Sequence, residues 1–259
     1  MTASRGGIKN VMPERLRLGI RSAWYAVRSA AYCGSRVTCP VCEGHFRKFL
    51  PFGLDKRPNA QCPRCGCLER HRLLWLYLKD RTRFFEERLK VLEFAPTPVL
   101  QNRFRRMKNL DYVSADLSST TAMLRMDILA INFPADQFDA IICYHVLEHV
   151  LDDRKAIAEL FRVLKPGGWA ILQSPIDLSR EKTFEAPDVT SPRDRERVFG
   201  QSDHVRIYGR DYKDRLKQAG FEVRLDDYVR DLGPERAAKY GLMAGEVIHL
   251  CVKPERDRQ

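Results

Sequence analysis

Six short apolar runs punctuate the chain from Leu89 onward: LKVLEFA, LDYVSAD, FDAIICY, WAILQSP, FEVRL and EVIHLCV. Runs of this length, rich in β-branched and aromatic residues, read as strands. Helical spacing fills the gaps between them, most clearly over residues 153–164 and 210–219. Parallel strands need crossover connections, so this alternation predicts an α/β fold around a mostly parallel sheet. At 44% hydrophobic and 31% charged residues, the 259-residue chain has enough apolar material for a sizeable core. No stretch approaches 18 apolar residues, which excludes a membrane-spanning helix.

The cysteines are concentrated. Of eight, five lie between Cys39 and Cys67, Cys33 sits just before them, and Cys143 and Cys251 stand alone inside apolar runs. A disulfide framework would spread its pairs over the fold, whereas this clustering is the metal-ligand pattern of a reducing compartment. The pattern is Cys39-Pro-Val-Cys42, then Cys62-Pro-Arg-Cys65. Each Cys-x-x-Cys supplies two thiolates from one tight turn, and four thiolates close a tetrahedral zinc site with no open position. The expected ligands are Cys39, Cys42, Cys62 and Cys65, with Cys67 a rival for the place of Cys65. Such a site is structural and performs no chemistry.

Residues 1–12 read as frayed. From Pro13 to about Tyr32 the spacing turns helical, with Leu16, Ile20, Trp24, Val27 and Ala31 on one face and Arg17, Arg21 and Arg28 on another. Three readings stay open: a stripe packed on the rest of the protein, a surface for an anionic membrane or nucleic acid, and an Arg-rich transit segment. Charge is uneven. Residues 1–90 carry 19 Lys/Arg against 7 Asp/Glu, while the remainder is near neutral, so an anionic partner belongs to the N-terminal third. Arg15, Arg17, Arg21 and Arg28 interrupt every apolar core of signal-peptide length.

The segment Phe138-Asp-Ala-Ile-Ile-Cys-Tyr-His-Val-Leu-Glu-His-Val150 resembles the fourth strand and following turn of class I S-adenosylmethionine-dependent methyltransferases of type 11. Arg162-Val-Leu-Lys-Pro-Gly-Gly-Trp169 resembles that family's turn into its fifth strand, and Tyr208–Asp211 with Ala219–Val223 resembles its last helix and sixth strand. The likeness covers roughly residues 89–252. It implies a Rossmann-like sheet of seven strands and S-adenosylmethionine as cofactor. In an open parallel sheet, ligands sit beyond the carboxyl ends of the strands, where Glu93, Asp116 and Asp127 stand. The resemblance implies that Asp116 accepts hydrogen bonds from the ribose hydroxyls, and that Asp127 with the backbone of Ile128 holds the adenine amino group. Glu93, Ala95 and Tyr144 complete the expected cofactor set. Asp139 is expected to be structural. A ribbon upstream of such a domain is similar to a bacterial subgroup of uncertain substrate and to certain ribosomal-RNA guanine methyltransferases.

The first loop departs from the family. Where the pattern has an acid followed by Gly-x-Gly, this chain has Glu93-Phe-Ala-Pro-Thr-Pro98. A dinucleotide pyrophosphate needs those glycines for close backbone approach, which excludes NAD and FAD. Candidate catalytic residues are His145, Asp177 and His204. His149 is expected to be structural, and His204 is expected to precede a helix and close over the substrate. The expected organisation is a basic amphipathic helix over 1–36, a four-cysteine zinc ribbon over 37–72, a connecting helix over 73–88 and a methyltransferase domain over 89–259. The leading expectation is a cytoplasmic methyltransferase, peripheral at the membrane, O-methylating a cell-surface glycan or lipid-linked precursor. The alternatives are methylation of structured RNA and a degenerate, non-catalytic binding module.

Overall fold

A computed structural model describes residues 14–53 and 56–255, with side chains from residue 23. The chain divides into two units, one formed by residues 1–80 and 229–244, the other by residues 81–228 and 245–259. This differs from the expected domain limits. The connecting helix runs over Glu69–Arg81 rather than 73–88 and belongs almost wholly to the first unit, to which residues 229–244 return.

The first unit opens with α1 (Glu14–Ala31). The strands β1 (Cys33–Thr38) and β2 (His45–Phe46) pair antiparallel, as do β3 (Leu50–Phe52) and β4 (Arg57–Gln61). The helix α2 (Glu69–Arg81) follows, burying Leu73, Leu74, Leu76, Tyr77 and Leu78. One face of α1 meets this unit, where Arg28 Nη2 donates to Gln61 Oε1 at 3.1 Å. The adjoining apolar stripe does not pack: Trp24 is 59% exposed and Val27 63%, and Ala31 is exposed. The side chains of Leu16, Arg17, Ile20 and Arg21 lie outside the described residues.

The reason residues 229–244 join this unit is Arg72. Its guanidinium is fully buried. It donates to the carbonyls of Ala60 (2.9 Å), Cys67 (3.3 Å) and Asn59 (3.1 Å), and also to those of Tyr240 (2.6 Å) and Gly241 (2.9 Å). It also stacks on the Phe49 ring, 3.9 Å from the centroid. Gly241 has φ +58°, and a Cβ there would lie 2.6 Å from the Phe49 ring, so only glycine brings its carbonyl to Arg72 without displacing the ring.

The second unit holds a seven-stranded sheet. In chain order its elements begin with β5 (Leu89–Phe94), α3 (Pro98–Phe104), β6 (Leu110–Asp116), β7 (Leu124–Arg125) and β8 (Phe138–Tyr144). A single 3-10 turn, Leu147–His149, leads to α4 (Asp153–Val163) and β9 (Leu164–Gln173). Then come β10 (Phe184–Glu185), α5 (Pro192–Phe199), β11 (Arg206–Ile207), α6 (Tyr212–Gln218) and β12 (Glu222–Asp226). The chain next passes through α7 (Tyr228–Leu232) and α8 (Pro234–Tyr240) before closing the sheet with β13 (Ile248–Val252). The spatial order is β12-β13-β9-β8-β5-β6-β7, with β13 antiparallel to both neighbours and the other pairs parallel.

The expected strands are present, and Leu124–Arg125 adds the edge that brings the count to seven. Strands β5, β8 and β9 are nearly continuous apolar runs, as a sheet covered on both faces requires. Asp139 is structural, as expected: its Oδ2 accepts from the Lys90 N–H at 2.7 Å and its Oδ1 from Lys165 Nζ at 2.6 Å, tying the starts of three strands. The order reverses between β5 and β8. That switch point puts a crevice at their carboxyl ends.

Candidate functional sites

The switch point is flanked by backbone strain. Ala95, just after β5, has φ +49°, and His145, just after β8, has φ +58°. Non-glycine residues rarely adopt this region, and such strain of about 1–3 kcal/mol persists where the surroundings hold it. Ala95 thus takes the conformation that the missing glycine would take, fixed by its N–H donating to the Ala115 carbonyl at 2.9 Å. Two residues on, the Thr97 hydroxyl is buried with no hydrogen-bond partner. An orphaned polar atom in this loop fits a polar ligand, and sequence reasoning did not single it out because Thr97 stands where a glycine was sought.

Glu93 is buried, and its Oε2 accepts from the Tyr112 hydroxyl. Burial pushes its carboxyl up to about 7, although the Tyr112 hydrogen bond pulls the other way. Asp116, at the end of β6, uses Oδ1 to accept the backbone N–H groups of Ser118 (2.8 Å) and Ser119 (2.6 Å). This turns the loop through one of the two carboxylate oxygens. Asp127 is exposed and accepts from the Leu129 N–H at 2.9 Å, beside buried Ile128. Tyr144 ends β8, its hydroxyl 3.4 Å from Glu246 Oε1.

On the other side of the switch point, His145 Nδ1 lies 3.1 Å from Glu148 Oε1, and Ser174 Oγ donates to Glu148 Oε2 at 3.0 Å. Although burial raises the Glu148 carboxyl, the His145 hydrogen bond, the nearby His145 and His149 rings and a backbone hydrogen bond together hold it below its ordinary value. A histidine oriented through one ring nitrogen by a buried carboxylate can accept a proton at the other. His204 is not where the sequence placed it. It precedes β11 rather than a helix and is buried, its ring 4.7 Å from that of His149. The short Arg206–Ile207 pairing with Phe184–Glu185 replaces the expected helix start. His149 lies in the 3-10 turn rather than packing at the start of α4. Asp177 is spent locally: its Oδ1 accepts from the N–H (3.0 Å) and hydroxyl (2.6 Å) of Ser179, and its Oδ2 from Arg180 Nε at 3.0 Å.

In the first unit, Cys39 and Cys62 head matching turns. The Cys39 N–H donates to the Gly44 carbonyl and the Glu43 N–H to that of Cys39. In the second turn, the Cys62 N–H donates to Cys67 and the Gly66 N–H to Cys62. Glu43 (φ +58°) and Gly66 (φ +75°) share the left-handed conformation. The turns therefore match Cys42 with Cys65, and Cys67 with Gly44. Cys39 and Cys65 sulfurs are 3.7 Å apart, as are those of Cys42 and Cys62. With Zn–S near 2.3 Å, a tetrahedron has edges of about 3.8 Å. Cys67 Sγ is closer to Cys39, at 3.3 Å, and a mutually converging set is Cys39, Cys62, Cys65 and Cys67. Five thiols thus crowd a site that needs four.

The strand order, with its switch point between β5 and β8, defines a Rossmann-like methyltransferase sheet. Residues 94–172, from the end of β5 into β9, match the family described as methyltransferase domain. The chain is 34% identical over 77 residues to a probable S-adenosylmethionine-dependent methyltransferase of Mycolicibacterium smegmatis, covering 27% of this chain and 30% of that protein. It is 31% identical over 119 residues to the ubiquinone/menaquinone biosynthesis C-methyltransferase of Vibrio campbellii, covering 44% of each. The chain thus spans less than half the length of either relative. Among solved structures, the [4+2]-cyclase SpnF shares the fold, with a TM-score of 0.52 at 16% identity over 94% of this chain and 98% of that one.

Proposed function

We propose that this protein transfers the methyl group of S-adenosylmethionine to a hydroxyl acceptor held beyond the carboxyl ends of β8 and β9. The observation that carries this reading is the family match falling on the strands either side of the switch point. The cofactor supplies an electrophilic methyl on a sulfonium centre. Asp116 Oδ2 would accept from its ribose, the Thr97 hydroxyl and the Ala95 backbone would meet its amino-acid part, and Asp127 with Ile128 would border its adenine. With S-adenosylmethionine bound as methyl donor, His145, its Nδ1–H donating to Glu148 Oε1, would be placed to take the acceptor's proton on Nε2. Orienting the acceptor oxygen toward the methyl donor would supply much of the rate.

Zinc fits the thiols of the first unit. Arg72 supports it as a buried cation with carbonyl partners only, donating to Cys67 beside a centre that four thiolates and Zn2+ leave at net −2. The knuckle symmetry favours Cys39, Cys42, Cys62 and Cys65 as ligands. The exposed Trp24 and Val27 beside a basic face support docking of α1 on an anionic membrane surface. That surface would present a glycan or lipid-linked acceptor.

The test is calorimetric titration with S-adenosylhomocysteine. Wild type binds and does not bind NADH, whereas Asp116→Ala loses about 1.5–3 kcal/mol of affinity, the scale of hydrogen bonds to a charged group. Absence of binding by folded wild-type protein would leave only the non-catalytic binding module.

A further inference from the structure

A second cluster of metal-capable side chains lies in the sheet unit, away from the cysteines. Glu148, His149 and His204 each offer a ligand atom, and these atoms all lie within 4.8 Å of one another. The residues come from the turn after β8 and from the segment before β11, so their meeting is a product of the fold.

The meeting is tightly built. The Val205 N–H donates to the Glu148 carbonyl at 3.0 Å. Buried Arg206 donates through Nη1 to the Leu147 and Val150 carbonyls and through Nη2 to that of Leu151 at 2.9 Å, clasping the whole 3-10 turn. Arg206 is held in turn by Glu185 at 2.8 Å and lies 3.7 Å from buried Asp153. Two of the three ligand side chains are oriented from outside. His149 Nδ1 is 3.3 Å from the Asp203 carbonyl and 3.4 Å from its carboxylate, and Ser174 and His145 hold the two oxygens of Glu148. Metal-binding histidines are set in this way, one ring nitrogen fixed by a carboxylate or carbonyl and the other left for the ion. Glu148 and His204 are buried while His149 is half-exposed, which gives the site a wall and an entrance.

We propose that Glu148, His149 and His204 bind one divalent transition-metal cation. Two imidazoles and one carboxylate select a borderline ion such as Zn2+, Co2+ or Fe2+ over Mg2+ or Ca2+, which require more oxygen donors. Donors around such an ion, at about 2.0–2.2 Å, lie roughly 3–3.5 Å apart. Small side-chain rotations close the cluster to that size, and positions remain open for exogenous oxygen ligands. The site stands on this cluster alone and does not require the cofactor to bind.

Cobalt(II) titration of the full-length protein tests it. Wild type should bind one cobalt with the visible spectrum of nitrogen and oxygen ligation, distinct from the near-ultraviolet thiolate bands of the cysteine site. Affinity should fall at least tenfold in His204→Asn and in His149→Gln, with S-adenosylhomocysteine binding and circular dichroism measured alongside to separate loss of the ion from loss of the fold. Should either variant fail to fold, wild-type protein can be treated with diethyl pyrocarbonate. Zinc should shield half-exposed His149 while leaving exposed His45 reactive. No nitrogen- and oxygen-ligated cobalt in wild type, undiminished binding in both folded variants, or no shielding by zinc would each overturn the proposal.

Discussion

Glu93 carries its charge state into the stability of the sheet. Its carboxyl is raised from an ordinary 4.5 to about 7 by burial, so the folded protein holds this proton more tightly than the unfolded chain does. The stabilisation is complete below about pH 4.5 and is lost as pH rises through 7, a swing of about 3 kcal/mol. Denaturant unfolding at pH 5 and pH 8 should show this loss in wild type, and Glu93→Gln should lack that share of it. A Glu93→Gln protein with the same pH slope would place the titration elsewhere. At this scale the sequence was partly legible. Glu93 and Asp116 stand out as acids at strand ends. Thr97 and the His149–His204 contact do not, because an orphaned hydroxyl and a pairing across more than fifty residues exist only once the chain is folded.

Among the elements, the two cysteine turns were the easiest to read, since each pair of ligands is local and the spacing alone fixes the knuckle. The choice among five thiols is not local. If the matching turns set it, Cys42→Ser should abolish the zinc released by a thiol-reactive mercurial and destabilise the first unit. Cys67→Ser should keep about one such zinc per chain. The reverse pattern would assign Cys67 in place of Cys42. The strands β5 and β8 were legible because a sheet buried on both faces favours nearly continuous apolar runs. The short helices α3, α5 and α8 were not, since each begins with proline and spans at most eight residues. Proline suits a first helical turn but reads in sequence as an interruption. The return of α8 to the first unit had no signal at all, because Arg72 is seated by backbone carbonyls, which every residue carries.

Across the whole molecule, charge is divided between a basic N-terminal third and a near-neutral remainder. Exposed charges act over about a Debye length, ~8 Å at physiological salt. Changing Arg17, Arg21 and Arg28 together to Gln should therefore weaken sedimentation with anionic vesicles, leave S-adenosylhomocysteine affinity intact and change saturated turnover little. Loss of RNA binding with unaltered vesicle binding would redirect the acceptor reading to RNA. Loss of cofactor affinity would show that the helix supports the sheet unit.

The excursion of residues 229–244 also imposes an order on biosynthesis. The 148 residues from Arg81 to Tyr228 separate the two parts of the first unit. At ribosomal rates of about 5–20 residues per second, they take roughly 7–30 s to emerge. The thiols are delivered long before the carbonyls of Tyr240 and Gly241, so through that interval Arg72 lacks two of the groups that seat it. The first unit is therefore begun before residues 81–228 are made and completed only after them.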